Sequence, residues 1–271
     1  MTPLSRALDD ATRQLTKTSD TARLDAELLM AQALHIDRDK LLLSPPDREV
    51  PERFWSMLKR RSEGEPVAYI TGRRAFWNIE LHVGPGVLVP RPDSEVLIAS
   101  AIEHFQGSAG PKRILDLGTG PGTLLLAALD IWPEATGLGV DVARHALSYA
   151  SANARRLGFE ARVKLMQGNW ASGLLEKFDL ILCNPPYVNA ASMAGLPAEY
   201  RAEPELALHG GADGMDFVRQ LIGQAAVCMN VSGVLVLEIG NERPHFEAAF
   251  PRLEVVWLST SAGDDQVVLV E

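Results

Sequence analysis

The stretch that most constrains this chain is Asp116-Leu117-Gly118-Thr119-Gly120-Pro121-Gly122, set between the apolar run Arg113 to Leu117 and the helix-like stretch Leu124 to Ile131. Alternating glycines permit a tight backbone turn and the close approach of a ligand, and the following helix start offers unpaired N–H groups to a carboxylate. A second apolar run, Gly137 to Val140, ends at Asp141. That residue lies about 20 positions on, where an acidic side chain can hold two ribose hydroxyls. Glycine-rich turns also occur as plain structural connections. An acidic residue closing the next strand favours a nucleoside site over that reading.

The same rhythm of strand, turn and helix continues. A helix fits near Ala143 to Leu157, and further strands fit Ala161–Met166, Phe178–Cys183, Val234–Ile239, Leu253–Leu258 and Val267–Val270. Strands alternating with helices predict an α/β fold, a Rossmann-like open sheet of seven mostly parallel strands with helices on both faces. Ligands in such sheets bind beyond the carboxyl ends of the strands. Residues 1–73 read instead as a small helical bundle. Ser19 or Asp20 is placed to cap a helix with Leu24, Leu28, Ala31 and Leu34 on one face. Another helix starts at Pro51, carries Phe54 and Leu58, and stops at Gly64. Residues 74–90 read as a hairpin linker: Ile79, Leu81 and Val83 alternate with polar residues, Gly84-Pro85-Gly86 turns, and Val87 and Val89 return. The larger domain then spans 91–271.

Charge bears on the partner. Residues 1–90 hold 13 basic and 13 acidic side chains, whereas 91–271 hold 13 basic and 22 acidic, so the whole net charge of −9 falls in the larger domain. An acidic surface repels a phosphate backbone and suits a basic protein, or simply keeps the chain soluble; no direct nucleic-acid contact is expected. The longest apolar runs are far short of a membrane span, and the first residues lack a secretion signal's apolar core, so no membrane and a cytoplasmic location are expected. Cys183 and Cys228 are read as reduced and buried, and six scattered histidines give no metal-ligand spacing. No metal and a monomer are expected.

A second chemical motif, Asn184-Pro185-Pro186-Tyr187, directly follows the fourth strand. Two prolines donate no backbone hydrogen bonds and are stiff, so the loop presents acceptors in a fixed geometry, suited to an NH₂ group. The Asn184 side-chain oxygen and the Pro185 carbonyl each accept one N–H in this reading, while Tyr187 packs on the flat face of the group. The G-x-G-x-G spacing at Gly118–Gly122, rather than G-x-G-x-x-G, turns the nucleoside reading from NAD towards S-adenosylmethionine. An amide nitrogen is a poor nucleophile because its lone pair is delocalised. Fixed acceptors stabilise the positive charge it gains on attacking a methyl group, and alignment supplies the rest. Asn169 and Trp170 follow the third strand and suit the edge and face of an adenine, though Trp170 also reads as core. Asp93 is placed to cap the helix after Pro90, and Asp213 to cap the helix after Gly214.

Together these segments resemble the peptide chain release factor N5-glutamine methyltransferases, the PrmC/HemK family. The resemblance rests on Pro66 to Gly72, Leu88 to Glu95, Asp116 to Gly122, Asn184 to Tyr187, Glu203 to Gly214, and Glu238-Ile239-Gly240. It implies a class I S-adenosylmethionine-dependent methyltransferase fold and methylation of the glutamine in the Gly-Gly-Gln loop of class 1 release factors, with the helical domain recognising the protein substrate. It implies cofactor contacts at Gly118, Thr119, Gly120, Pro121, Gly122, Asp141, Trp170 and Asn184. The catalytic residues would be Asn184, Pro185 and Tyr187, and the substrate amide would be held by Asn184, Pro185, Pro186 and Tyr187. Pro121, Asn169 and Ser94 stand where the family usually has serine, aspartate and threonine. Part of the chain, Val188 through Asn241, also resembles the enzymes that methylate a glutamine of ribosomal protein L3. N6-adenine methylation and a non-catalytic cofactor-binding module are the remaining alternatives.

Overall fold

The computed structural model describes residues 3–44, 48–260 and 263–271. The chain forms two compact units, Met1–Arg73 with Pro197–Ala202, and Arg74–Leu196 with Glu203–Glu271. No helix of the described residues is long and apolar enough to cross a membrane.

The smaller unit holds α1 (Pro3–Leu15), α2 (Ala22–Leu34), α3 (Arg38–Leu43), α4 (Glu52–Ser62) and α5 (Val67–Thr71). Helix α1 buries Leu4, Ala7, Leu8, Ala11 and Leu15, the spacing of a one-sided amphipathic helix. Helix α2 packs against all four of the others. Its core residues include Ala26, Leu29, Met30 and Ala33 beside Ala31 and Leu34; of the four residues expected on the buried face, Ala31 and Leu34 are buried, Leu28 is half-buried and Leu24 is exposed. Neither Ser19 nor Asp20 caps this helix. Thr21 holds the cap position without a side-chain cap bond, because Ser19 Oγ and Thr21 Oγ1 donate to Asp25 at 2.7 and 2.9 Å. Asp25 is buried, and Arg61 Nε reaches it at 2.7 Å while Arg61 Nη1 lies 3.0 Å from Glu199. A buried charge needs such partners.

The larger unit, from Arg74, opens within β1 (Arg73–Phe76), which pairs with β2 (Ile79–His82) in a two-stranded sheet. A hairpin does stand in the expected linker, but it turns at Trp77-Asn78, where Trp77 adopts φ 52, and not at Gly84-Pro85-Gly86. Val87 and Val89 are buried without being a strand. The Val89 N–H donates to the Glu203 carboxylate at 2.8 Å, so their alternation reports burial rather than pairing.

Then follow α6 (Glu95–His104), β3 (Arg113–Leu117), α7 (Thr123–Ile131), β4 (Thr136–Asp141), α8 (Arg144–Arg156), β5 (Val163–Gln167), β6 (Phe178–Cys183), α9 (Ala190–Met193), α10 (Asp216–Cys228), β7 (Met229–Glu238), α11 (Arg243–Ala249), β8 (Val256–Thr260) and β9 (Gly263–Val270). The sheet has seven strands in the order β5-β4-β3-β6-β7-β9-β8. Pairing is parallel from β5 to β7, and β9 runs antiparallel between β7 and β8. This is the expected mostly parallel sheet of a class I methyltransferase. Leu253, expected in a strand, instead closes a turn through its N–H to Phe250 C=O at 3.1 Å. Strand order reverses at β3, since the chain first moves outward through β4 and β5 and then returns to β6 on the other side. The crevice of such a sheet lies at that reversal, beyond the strand ends.

Candidate active site

A cavity of about 200 Å³ opens there. Gly118 and Gly120 after β3, Val140 to Ala143 around the end of β4, Gly168 to Trp170 after β5, and Asn184 and Pro186 after β6 form its wall. Gly86 to Leu88, Ala146, Pro204, Leu206, Ala207 and Phe217 complete it. Of the residues expected at the site, the structure therefore brings together Gly118, Gly120, Asp141, Asn169, Trp170, Asn184 and Pro186. Thr119, Pro121, Gly122, Pro185 and Tyr187 are not part of that wall.

The glycine turn is held from below. Asp116 is buried, and its Oδ2 accepts from Thr119 Oγ1 at 2.6 Å and from the Leu125 N–H at 3.1 Å. This draws the Thr119 side chain inward and ties the turn to the first turn of α7. Burial, aided by the nearby Asp141 charge, pushes the Asp116 carboxyl up to about 7. The turn is also held from behind by Asn153 of α8, which is fully buried. Its Nδ2 donates to Pro121 C=O at 2.9 Å and to His82 C=O at 3.0 Å, and its Oδ1 accepts from the His82 N–H at 2.7 Å. Nothing local in the sequence marks Asn153, because its partners lie far away along the chain.

Asp141 ends β4 with its carboxylate half-buried. Oδ2 accepts from the Gly120 N–H and Oδ1 from the Ala143 N–H, both at 2.8 Å. Burial raises its pKa, and these backbone donors oppose the rise. A carboxylate has about four acceptor positions, and with backbone bonds from Ala143, Gly120 and Val142 Asp141 keeps room for a ligand hydroxyl. Trp170, with φ 52, lines the cavity and also packs against the buried cluster, with its ring centroid 5.6 Å from that of Phe217. A methyl group added at Gly118 would meet the Trp170 ring at 3.4 Å.

Around the Asn184-Pro185-Pro186-Tyr187 corner, Pro185 is buried and Tyr187 is half-buried. A Cβ at Gly240 would overlap the Tyr187 ring, and one at Gly214 would overlap the Tyr187 carbonyl oxygen. Close approach therefore explains why distant loops carry glycine at these points. Tyr187 Oη donates to Glu238 Oε1 at 2.7 Å, and Ser94 Oγ donates to Glu238 Oε2 at 2.6 Å. Asn184 Nδ2 donates to Ser94 Oγ at 2.9 Å. Burial raises the Glu238 pKa against these hydrogen bonds. Because Ser94 faces Glu238, the start of α6 has no side-chain cap, and Asp93 does not supply one. Glu203 fixes the neighbouring loop through the Val89 N–H and an ion pair with Arg91. Asp213 does not cap α10 either: Met215 holds the cap position without a side-chain cap bond, and Asp213 accepts from the Met215 N–H at 3.1 Å just ahead of the helix.

Residues 6–72 match the family described as the PrmC N-terminal domain, and residues 110–213 match a methyltransferase domain family. A ribosomal protein uL3 glutamine methyltransferase of Bordetella pertussis is 43% identical over 258 residues, covering 93% of this chain and 87% of that protein. A release factor glutamine methyltransferase of Moorella thermoacetica is 38% identical, covering 89% of this chain and 86% of that protein. A solved methyltransferase of Pyrococcus furiosus superposes with a TM-score of 0.52 at 18% identity, covering 79% of this chain and 96% of that one. The fold, the crevice at its strand reversal and these relatives agree: the chain belongs to the PrmC/HemK family of S-adenosylmethionine-dependent protein-glutamine methyltransferases.

Proposed function

We propose that this protein methylates the side-chain amide nitrogen, N5, of the glutamine in the Gly-Gly-Gln loop of class 1 peptide chain release factors. One observation carries the reading: Asn184 and Pro186 stand in the same cavity wall as Gly118, Gly120 and Asp141. The amide and nucleoside motifs thus serve one site. The match of residues 6–72 to the PrmC N-terminal domain supports a release factor as the protein recognised.

The cavity fits S-adenosylmethionine by its donor set. Asp141 retains acceptor capacity for a ribose hydroxyl, the Val140, Val142 and Ala146 side chains offer an apolar plate, and Trp170 offers an indole face. Gly118, Gly120, Asp141, Trp170 and Asn184 are assigned to hold it, with Thr119, Pro121 and Gly122 shaping the turn. When bound, the cofactor supplies a methyl group on positively charged sulfur, open to in-line attack. The chain's own contribution is alignment and charge. Asn184 Oδ1 and the Pro185 carbonyl each accept one of the two amide N–H groups, which fixes the nitrogen and stabilises the positive charge it gains. Such alignment is worth roughly 7–11 kcal/mol of barrier. No side chain in the wall is a base for the released proton except Asp141, which is committed to the turn, so water takes it. We assign catalysis to Asn184, Pro185 and Tyr187, and substrate contact to these with Pro186.

A second reading is supported by the Bordetella pertussis relative, in which the substrate is a glutamine of ribosomal protein uL3. Mass spectrometry separates the two. Each protein is incubated with the enzyme and S-adenosylmethionine, and a gain of one methyl on the Gly-Gly-Gln peptide is expected. Methylation of uL3 with the release factor untouched would transfer the assignment. Methylated adenine in added nucleic acid, with both proteins untouched, would overturn it.

A further inference from the structure

The Asn184 corner carries a second layer that the proposed chemistry does not itself use. Glu238, the last residue of β7, is 4% exposed and receives a hydroxyl on each carboxylate oxygen, from Ser94 at 2.6 Å and from Tyr187 at 2.7 Å. Each hydroxyl has a single hydrogen. With that hydrogen given to the carboxylate, Ser94 Oγ faces Asn184 only with lone pairs. The group it meets at 2.9 Å must therefore be the Asn184 NH₂, and the Asn184 oxygen must be the other end of the amide. The same argument leaves Tyr187 with acceptor capacity only. The two prolines contribute no N–H. The Asn184 NH₂ also hydrogen-bonds Glu238, so the polar groups that the Asn184 side chain, the prolines and the Tyr187 hydroxyl leave open are acceptors.

We propose that Glu238, acting through Ser94, is the positioning residue that makes this corner acceptor-only, and that it thereby selects a carboxamide over a carboxylate and the amide nitrogen over the amide oxygen. A carboxylate brought to the corner would meet acceptors with no hydrogen between them, while an amide satisfies them with its two N–H groups. A site built to pair a substrate N–H strongly rejects an analogue that lacks it. Asp93 adds negative charge beside Glu238 and reinforces the same polarity. With glutamine at 238, the new NH₂ can donate to Ser94 Oγ, which frees the serine hydrogen to turn towards Asn184 and lets that amide flip.

The inference rests on the glutamine methyltransferase reading. The test compares a glutamine peptide as substrate with the matching glutamate peptide as competitive inhibitor, using the full chain with S-adenosylmethionine. For Glu238→Gln, kcat/KM on the glutamine peptide should fall about a hundredfold, and inhibition by the glutamate peptide should tighten about tenfold, with S-adenosylhomocysteine affinity kept within about threefold. Ser94→Ala should repeat the changed preference, and Ser94→Thr, which keeps the hydroxyl, should restore it. If Glu238→Gln fails to fold, the serine pair decides by the same ratio. A fall in activity with the amide-to-carboxylate preference intact would show a merely structural anchor and overturn the proposal. A wild-type enzyme that methylates no glutamine peptide would instead overturn the proposed function.

Discussion

Replacing Asn153 by alanine tests whether the glycine turn is held from behind. Its fully buried amide makes three hydrogen bonds to main chain, one to Pro121 and two to His82. The bond to the Pro121 carbonyl is buried, and stripping its donor costs about 1–3 kcal/mol. The His82 pair lies nearer solvent, where each lost bond costs about 0.5–1.5 kcal/mol. The whole loss comes to about 4 kcal/mol, a large share of an ordinary domain's stability. Urea denaturation of Asn153→Ala should show it as a lower midpoint. Release of Pro121 also loosens the turn whose Gly118 and Gly120 line the cavity, so S-adenosylhomocysteine affinity measured by calorimetry should fall about tenfold, or about 1.4 kcal/mol. Asn153→Asp should be worse than alanine, since a carboxylate oxygen then faces two carbonyls. A loss below about 1 kcal/mol with unchanged affinity, or an aspartate variant milder than alanine, would refute this account.

Other outcomes follow from single contacts. Gly240→Ala puts a methyl into the Tyr187 ring at a residue with φ 55, so methyl transfer should collapse while S-adenosylhomocysteine still binds; equal kcat in the variant would remove Tyr187 from the mechanism. Asp116 holds its proton up to about pH 7 when folded against an ordinary value of 3.8, so the folded state binds the proton that the unfolded chain has released between those values. Stability therefore declines as pH rises through that window, and a Tm series from pH 4 to pH 7 should show a slope that Asp116→Asn flattens. Arg61→Ala leaves Asp25 buried without its cation and should destabilise the helical unit by about 3–5 kcal/mol, whereas Arg61→Met with Asp25→Leu should recover much of the loss in the same melting assay.

The legible parts of this chain were those whose signal is local. Strands β3, β4 and β6, the glycine turn and Asp141 are marked by residues adjacent in sequence, and the structure sets them where the pattern indicated. The apolar face of α2 was only partly found, Ala31 and Leu34 being buried but Leu24 exposed, because that helix is packed on several sides and periodicity reports only one-sided burial. The hairpin turn was misplaced for a similar reason. Val87 and Val89 alternate with their neighbours as a strand does, yet they are buried beneath a loop held by Glu203, which lies more than a hundred positions away.

What the sequence determined alone was the sheet, the order of its elements and the two short motifs, because hydrophobic period and turn chemistry act over a few residues. Tertiary structure decided which groups those motifs present. Ser94 and Glu238 are 144 positions apart, and Asn153 and Pro121 are 32 apart, yet these pairs set the orientation of the Asn184 amide and the rigidity of the glycine turn. The number of hydrogens on a side chain is written in its residue type, but the direction in which it donates them is fixed only when the chain brings an acceptor beside it.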